Sequence, residues 1–339
     1  MKIAIHKSNG FAVRWIAYCE EKKIQYKIVD CYANDIVKQL EDCYALMWHF
    51  HHADAKDFQF ARQLLYAMQI SGKKIFPDFN TMWHFDDKAG QKYLLEAIAA
   101  PFVPSYVFYS KTEAFKWMAS TSFPKVFKLR RGASSAHVRL VKTKQDAKRL
   151  INRAFGKGFT QYDGFGNLKE RWRKYRLGKT TLPDVLKGCV RVIYKTDFAK
   201  MAGNEKGYVY FQDFIPNNDY DIRIIVIGER AFGIKRMVRK NDFRASGSGD
   251  FIYKRSEINE DCVRIAFDLN KKLKTQCIAI DFVFDGKQAL IIEISYGFLP
   301  QVYEPCEGYW DCHLNWYEGS FNPYGWMIEN MLHHDTSCN

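Results

Sequence analysis

The sequence contains no uninterrupted apolar run that approaches the ~20 residues a helix needs to span a bilayer. The first ten residues, MKIAIHKSNG, become polar after a very short apolar run and lack the h-region of a signal peptide. These two absences argue against a membrane-spanning protein and against a secreted one. We therefore expect a soluble, cytoplasmic protein without a membrane partner.

The nine cysteines include no Cys-x-x-Cys pair, and their number is odd. Without a secretory signal, this pattern favours reduced thiols over a disulfide framework. Cys306, Cys312 and His313 form the one cluster that resembles metal ligands, but their spacing matches no familiar zinc pattern. We interpret them as residues without a zinc ion.

Internal repeats and low-complexity tracts are absent as well. The 339 residues are 47% hydrophobic and 16% aromatic, which excludes disordered and fibrous proteins. This length suits two or three packed subdomains. The chain has 51 Lys and Arg against 38 Asp and Glu, a net charge of +13, which favours anionic partners such as nucleotides, acidic sugars or nucleic acid.

Hydrophobic periodicity divides the chain into three parts. Residues 1–84 alternate short strands with amphipathic helices, which predicts an α/β fold with a parallel sheet covered on both faces. Residues 85–207 carry further strands and, at 155–206, a basic and aromatic insertion. We interpret the insertion as a solvated helical excursion, with a substrate-binding lid as the alternative. Residues 208–339 hold four strong strand signals and end in an aromatic tail. The aromatic side chains of this tail suit core packing, a homodimer contact or stacking on a sugar ring.

Two acidic residues occupy apolar strands near the C-terminus. Asp281 lies in IAIDFVF and Glu293 in ALIIEI, and the Asp285-Gly286 pair between them is a strong hairpin signal. Acidic residues rarely occupy buried strands unless they are paired or bound to metal. An antiparallel hairpin can bring the two carboxylates side by side, and Mg²⁺ would relieve their repulsion. The alternative is two strand-edge carboxylates that face water.

Basic residues near strand ends are candidates for phosphate binding. Lys128 ends an apolar strand and precedes the small-residue loop RRGASSAHV, although this is not a GxxxxGK[ST] P-loop. Arg223 and Arg236 fall on or near later strands, and Arg244 lies in the Gly- and Ser-containing loop NDFRASGSGDF. Each of these side chains alone suits an exposed surface position. Together, beside the two acids, they suggest a site that clamps phosphoryl oxygens.

The order of these groups resembles the ATP-grasp superfamily, and above all the RimK-type ribosomal-protein glutamate ligases. The most specific likeness is the pattern DIR…IGERAFGIKR…DFR, within a resemblance that runs from about Phe85 to Gly297. It implies a pre-ATP-grasp domain at 1–84, a central lid at 85–207 and a C-terminal ATP-grasp subdomain at 208–339, with ATP held between the last two. ATP would be bound by the following residues: Lys88, Lys128, Gly132, Ser134, Ser135, Gln212, Asp213, Phe214, Ile215 and Asp221.

The resemblance also implies the residues that perform the reaction. Phosphate and acyl phosphate would be bound by three arginines: Arg223, Arg236 and Arg244. Mg²⁺, as two ions, would be bound by Asp281, Glu293 and Ser295. Two positions depart from the family pattern, because Ser295 replaces an asparagine and only Gly132 remains of the glycines that usually follow the phosphate lysine.

The reaction implied by the resemblance is ATP-dependent formation of an amide. A carboxylate would be activated as an acyl phosphate and then attacked by an amine. The loop KLRRGASSAHVRLV is also similar to ATP-grasp proteins of bacterial surface-polysaccharide biosynthesis, which suggests a uronic acid of a glycan precursor as the substrate. The expected partners are a small-molecule or sugar-nucleotide carboxylate and an amine. Four residues are substrate-binding candidates: His49, His51, His52 and Ser246.

Other functions stay open at this point. The same fold suits an amino-acid or peptide ligase, or an ATP-binding protein without ligase activity. A kinase-like phosphotransferase would release ADP without needing an amine. A basic nucleic-acid-binding protein would use residues 157–206, but the sequence has no recognised binding module and that function leaves the acids unexplained.

Overall fold

The computed structural model describes residues 1–8, 10–51, 54–132, 137–160, 164–176, 178, 180–193, 203–239 and 242–332. The predicted residues His52, Ser134 and Ser135 lie outside these ranges. The described chain forms three sheets of four or more strands and a small two-stranded ribbon. Within it, no helix has the length and apolar character needed to cross a membrane.

The N-terminal part is a four-stranded parallel sheet in the order β2-β1-β3-β4, as the βα rhythm of the sequence predicts. The third strand ends at Met47, because the chain turns out of the sheet at Trp48 and presents residues 48–51 beyond the strand end. The elements are β1 (Ile3–His6), α1 (Phe11–Glu21), β2 (Tyr26–Val29), α2 (Ile36–Gln39), β3 (Ala45–Met47), α3 (Ala55–Ile70), β4 (Lys74–Phe76) and α4 (Phe79–Met82).

The central part is built on an antiparallel sheet in the order β5-β10-β6-β7. Because β10 pairs with both β5 and β6, this sheet continues to Asp213, beyond the predicted boundary at residue 207. The elements are α5 (Lys88–Ala97), β5 (Ser105–Phe108), α6 (Lys111–Ser120), β6 (Lys125–Lys128), β7 (Arg139–Val141), α7 (Lys144–Ala154), β8 (Phe159–Thr160), α8 (Gly164–Arg176), α9 (Leu182–Ile193), β9 (Asn204–Glu205) and β10 (Val209–Asp213).

The C-terminal part is a sheet in the order β15-β14-β11-β12-β16-β17, with β13 also paired to β12. The tail, which shows little periodicity in sequence, supplies two of these strands and a final helix that packs on α1. The elements are β11 (Tyr220–Ile227), β12 (Arg230–Met237), β13 (Phe251–Ile252), a 3-10 turn (Arg255–Glu257), α10 (Glu260–Leu273), β14 (Cys277–Asp285), β15 (Gln288–Ser295), α11 (Pro300–Tyr303), β16 (Gly308–Asp311), β17 (Trp316–Glu318) and α12 (Pro323–Leu332).

The hydrophobic cores do not follow the three parts. One face of the C-terminal sheet, with Ile225 and Phe232, shares a single core with the N-terminal sheet and its helix residue Trp15. The buried Tyr296 joins the two parts by donating a hydrogen bond from its hydroxyl to the carbonyl of Phe50 (2.8 Å). The opposite face packs on α10, and the central sheet has its own core around Phe211. The central sheet is therefore a separate layer beside one continuous body.

Candidate active site

A cavity of about 580 Å³ lies between the central sheet, the C-terminal sheet and the strand ends of the N-terminal sheet. Of the predicted site residues in the described ranges, all except Lys88 line it, and Lys88 contacts two of the lining residues. The predicted residues in the lining are His49, His51, Lys128, Gly132, Gln212, Asp213, Phe214, Ile215, Asp221, Arg223, Arg236, Arg244, Ser246, Asp281, Glu293 and Ser295.

The two acids face each other across the β14–β15 hairpin. This side-by-side placement is one of the two alternatives that the sequence leaves open. Asp281 is the register partner of Glu293, but the pairs nearer the turn follow a different register, with Phe282 opposite Ile291. Ile292 is therefore an extra residue on β15, a β-bulge that brings Glu293 opposite Asp281. Without the bulge, Asp281 would face the apolar Ile292.

Protein cations balance both acids. Arg236 places Nη2 3.0 Å from Oδ1 of Asp281, and Arg223, the register partner of Asp281 on β11, places Nη1 3.4 Å from the same oxygen. Burial raises the pKa of Asp281, but the two arginines outweigh it and hold that pKa below its ordinary value. On Glu293, Oε1 lies 3.0 Å from Nζ of Lys88. The acids are thus charged groups within a cationic frame.

Arg236 is the most tightly held of the arginines. Its Nε and Nη2 donate to the two carboxylate oxygens of Asp221, at 2.6 and 2.8 Å, and both residues are buried. Burial disfavours the charged guanidinium, but Asp281 and Asp221 outweigh it and place the pKa of Arg236 well above its ordinary value. Asp221, predicted as an ATP ligand, has its carboxylate engaged by this pair. Asp221 therefore contributes to the cavity by holding the Arg236 side chain in position.

Lys88 anchors the backbone that follows β6. It is the first residue of α5, and its Nζ donates to the carbonyl of Gly132 at 2.9 Å. The backbone N–H of Gly132 in turn donates to Oδ1 of Asp86 at 2.9 Å. Burial raises the pKa of Asp86 to about 6. The sequence prediction missed Asp86, although its place two residues before Lys88 was a usable signal.

Lys128 lies deeper in the same wall. Its Nζ donates to Oε1 of Gln212 at 2.6 Å and to the carbonyl of the bulged Ile292 at 3.4 Å. Burial lowers the pKa of Lys128 to about 8, with Lys88 adding to this effect and Glu293 opposing it. The charge of this lysine is therefore lost at a lower pH than that of an ordinary lysine.

The segment after β10 forms the apolar end of the cavity. The side chain of Gln212 is used within the sheet, and Asp213 pairs with Lys125 at 2.7 Å. Phe214 meets Phe243 edge to face, with ring centroids 5.9 Å apart. Phe243 was missed by the sequence prediction, because a lone aromatic residue in a polar loop carries no periodic signal. Val126 and Val138 complete an apolar pocket suited to a flat ring.

The opposite end of the cavity is built by the N-terminal sheet. The His49 ring stacks on Phe11 with centroids 3.8 Å apart, and Gly10 turns into α1 with a φ of 91°. A Cβ on Gly10 would lie only 3.0 Å from Nδ1 of His49, so this close approach requires glycine. The backbone N–H of His51 is held by Asp57 at 2.8 Å. These contacts fix the shape of the wall, and Gly10 in it was not predicted.

The loop between β12 and β13 closes the third side of the cavity. Arg244 forms a hydrogen-bonded ion pair with Asp242 in the same loop, with Nη2 2.6 Å from Oδ2. Arg239 donates to the carbonyl of Ser246 at 2.5 Å. Arg244 and Ser246 therefore line the cavity from an internally bonded loop, and their predicted contact with a ligand stays a prediction.

A divalent cation fits the chemistry of this site. Asp281 and Glu293 present carboxylate oxygens on one face, and Ser295 lies two residues further along β15. The described residues contain no group of three or more His, Cys, Asp or Glu side chains able to hold a metal. A magnesium ion here would thus combine two carboxylates with oxygens of its ligand, which is how Mg²⁺ commonly binds beside phosphates.

Comparison with known families adds to this geometry. Residues 195–297 match the model of the RimK-like ATP-grasp domain, a range that holds Arg223, Arg236, Asp281 and Glu293. This part of the chain is therefore similar to RimK-like ATP-grasp domains. No curated protein matches the sequence.

Solved structures match nearly the whole chain. A RimK domain ATP-grasp protein from Sphaerobacter thermophilus has a TM-score of 0.58 and 14% identity over 98% of this chain and 99% of that chain. D-alanine–D-alanine ligase from Bacillus anthracis has a TM-score of 0.52 and 14% identity over 87% and 86%. The biotin carboxylase domain of 2-oxoglutarate carboxylase from Hydrogenobacter thermophilus, with MgADP, ADP and bicarbonate, has a TM-score of 0.57 and 13% identity over 97% and 69%. These similarities establish the ATP-grasp fold.

Proposed function

We propose that this protein is an ATP-dependent carboxylate–amine ligase that forms an amide through an acyl-phosphate intermediate. The observation that carries the proposal is the facing pair Asp281 and Glu293 within a frame of buried cations. Such a frame suits a ligand that is itself strongly negative and accompanied by Mg²⁺, as a nucleoside triphosphate is. The ATP-grasp fold and the MgADP bound to one structural neighbour support the same ligand.

Two regions of the cavity support the assignment of the adenine ring and the phosphates. The apolar pocket of Val126, Phe214 and Phe243 suits the adenine ring. Lys88 and Lys128 suit the phosphates, because both ammonium groups are buried and lie on the Glu293 side of the cavity. Mg²⁺, when bound at the two carboxylates, would offset phosphate charge that the lysines leave uncompensated.

The reacting carboxylate would lie between the γ-phosphate and the N-terminal wall. A carboxylate is a poor electrophile, and transfer of the γ-phosphoryl group turns one of its oxygens into a phosphate leaving group. Arg223 and Arg236 lie beside Asp281, where they would stabilise the charge that develops on the transferred group. The amine then attacks the acyl carbon, and the C–O bond to phosphate breaks.

We further propose a uronic acid of a glycan precursor as the carboxylate. Its support is the loop after β6, whose sequence is similar to surface-polysaccharide enzymes, and the polar groups of the cavity, with Gly10, His49 and His51 on the N-terminal wall and Ser246 on the β12–β13 loop. A sugar acid presents one carboxylate and several hydroxyls, which suit this mixture of backbone, imidazole and hydroxyl groups.

The direct test is release of ADP and phosphate from Mg·ATP. Uronic acids, nucleotide-linked uronates and amino acids are each offered with and without an amine. We expect release that needs both a carboxylate and an amine and that Glu293→Gln strongly reduces. Release without any amine would instead indicate a phosphotransferase. Tight ATP binding without turnover across the panel would contradict the ligase and point to Ser295, which replaces the family's asparagine.

The affinity for ATP should depend on the protonation of Lys128. Its pKa of about 8 means that the ammonium form, which pairs with phosphate, is lost as pH rises through that value. We expect Mg·ATP to bind about tenfold more weakly at pH 9 than at pH 7. Calorimetric titration across this range measures the effect. Lys128→Met should bind weakly and lose the dependence, whereas exposed Lys116→Met should keep it; an unchanged slope in Lys128→Met would contradict the assignment.

A further inference from the structure

In the described part of the basic insertion, α8 and α9 pack as a helical hairpin whose outer face carries apolar side chains. On α9, Leu182, Leu186 and Val190 are 48%, 58% and 55% exposed. Their spacing of four residues places them in one row along the helix. Scattered exposed apolar residues are ordinary on protein surfaces, but an ordered row of three is a candidate contact surface.

The packing of α9 on α8 does not use the row of Leu182, Leu186 and Val190. Val185 is buried, and Gly188 faces α8 so closely that a Cβ there would lie 2.8 Å from Cδ of Arg171. The inner face of α9 is thus used against α8, while Leu182, Leu186 and Val190 point elsewhere. A shallow groove along the outer face is lined by Pro183, Leu186, Lys187 and Val190. On α8, Trp172 and Tyr175 are exposed as well.

Positive charge accompanies this apolar row. Residues 164–193 contain eight Lys and Arg against two Asp and Glu. One of the two acids, Asp184, accepts hydrogen bonds from Thr180 and Thr181 and lies 4.0 Å from Arg171, so its charge is compensated within the hairpin. Lys187, whose side chain is 70% exposed, lies in the groove beside Leu186 and Val190, and the sequence of the segment carries a surplus of cations.

We propose that the α8–α9 hairpin docks this protein on the surface of an anionic lipid bilayer. Leu182, Leu186 and Val190 would enter the headgroup boundary, and the basic residues would pair with lipid phosphates. Interfacial helices combine an apolar face, basic residues and Trp or Tyr in this way. A nucleic acid would use the cations but would gain little from a row of leucine and valine. This proposal departs from the sequence-based expectation of no membrane partner, which rested on the lack of a spanning helix and of a signal peptide. The surface role is independent of the ligase activity.

The test is flotation of the full-length protein with two kinds of vesicle, phosphatidylcholine alone and phosphatidylcholine with about one-third phosphatidylglycerol. We expect binding to the anionic vesicles that weakens with added salt. The double variant Leu186→Glu/Val190→Glu should bind them at least about tenfold more weakly. Both positions are exposed, so the fold is expected to persist, and circular dichroism checks this.

The matched control carries the same change elsewhere. Val37 and Ile70 are 56% and 70% exposed in the N-terminal part, and Val37→Glu/Ile70→Glu alters the net charge equally. This control should bind anionic vesicles like the unaltered protein. If both variants lost vesicle binding equally, the loss would come from the change in net charge and not from the apolar row, and the proposal would be overturned. Absence of vesicle binding by the unaltered protein would overturn it too, as would binding of an oligonucleotide in place of vesicles.

Discussion

Replacing Glu293 by glutamine is expected to reduce ADP release roughly 10²- to 10³-fold. The substitution keeps the size of the side chain but removes the charge that faces Asp281 across the bulged hairpin. The proposed Mg²⁺ site then retains a single carboxylate. Lys88 also loses its ion-pair partner, although its ammonium group stays buried. Both effects weaken the binding of metal-bound phosphates.

Two measurements separate this explanation from a general loss of fold. Mn²⁺ binding, followed by electron paramagnetic resonance in the presence of ATP, should weaken in parallel with activity. The control is Glu257→Gln, which removes an exposed carboxylate that pairs with Lys235 at 2.8 Å, and we expect no change in ADP release. If Glu293→Gln retained full activity, the two carboxylates would not form the metal site, and the proposed mechanism would be wrong.

Arg236→Met should lower the free energy of unfolding by about 3–5 kcal/mol, because it leaves the buried Asp221 without its ion-pair partner and Asp281 with Arg223 alone. The Arg236 side chain is 6% exposed and contacts both Asp221 and Asp281. In the variant these carboxyl groups should have raised pKa values, so the folded chain would bind protons that the unfolded chain does not. The loss of stability should therefore shrink as pH falls. Chemical denaturation at several pH values measures this.

Arg230→Met on the same strand is the matched control. Arg230 pairs with Glu329 at 3.2 Å, but its side chain is 40% exposed, so solvent screens the pair. We expect a cost of at most about 1 kcal/mol for this variant. If both substitutions lowered the free energy of unfolding equally, Arg236 would not be held in a buried ion-pair network. Its proposed role beside the reacting phosphate would then be unsupported.

The sequence predicts the acidic pair and its hairpin but not the feature that aligns them. The Asp285-Gly286 turn indicates the hairpin, and the apolar strands around Asp281 and Glu293 indicate burial. From the turn alone, however, the register would place Asp281 opposite Ile292. The bulge depends on packing across the cavity, where Lys128 and Gln212 contact the Ile292 carbonyl. Such contacts join residues far apart in sequence and leave no local signal.

Other parts of the site show the same limit. The parallel N-terminal sheet follows from its alternating strands and helices, whereas the aromatic tail gives no periodic signal because its strands β16 and β17 are only a few residues long. The engagement of Asp221 by Arg236 depends on the β11–β12 register, which the sequence does not specify closely. Short-range patterns therefore predict which types of residue lie in the site. Tertiary packing decides which of these side chains are bonded to each other and which are available to a ligand.

The core shared by the N-terminal and C-terminal sheets limits how this protein can be dissected. Sequence order suggests that residues 1–84 are a detachable module, yet Ile225 and Phe232 belong to the same core as Trp15. Removing the module would expose that core and release Tyr296 from its bond to Phe50. Truncation would thus report on collapse of the scaffold and not on substrate choice. Substrate specificity in this chain should therefore be studied by point substitution. A chimera that exchanges the N-terminal part would also need the C-terminal residues that pack against it in the shared core.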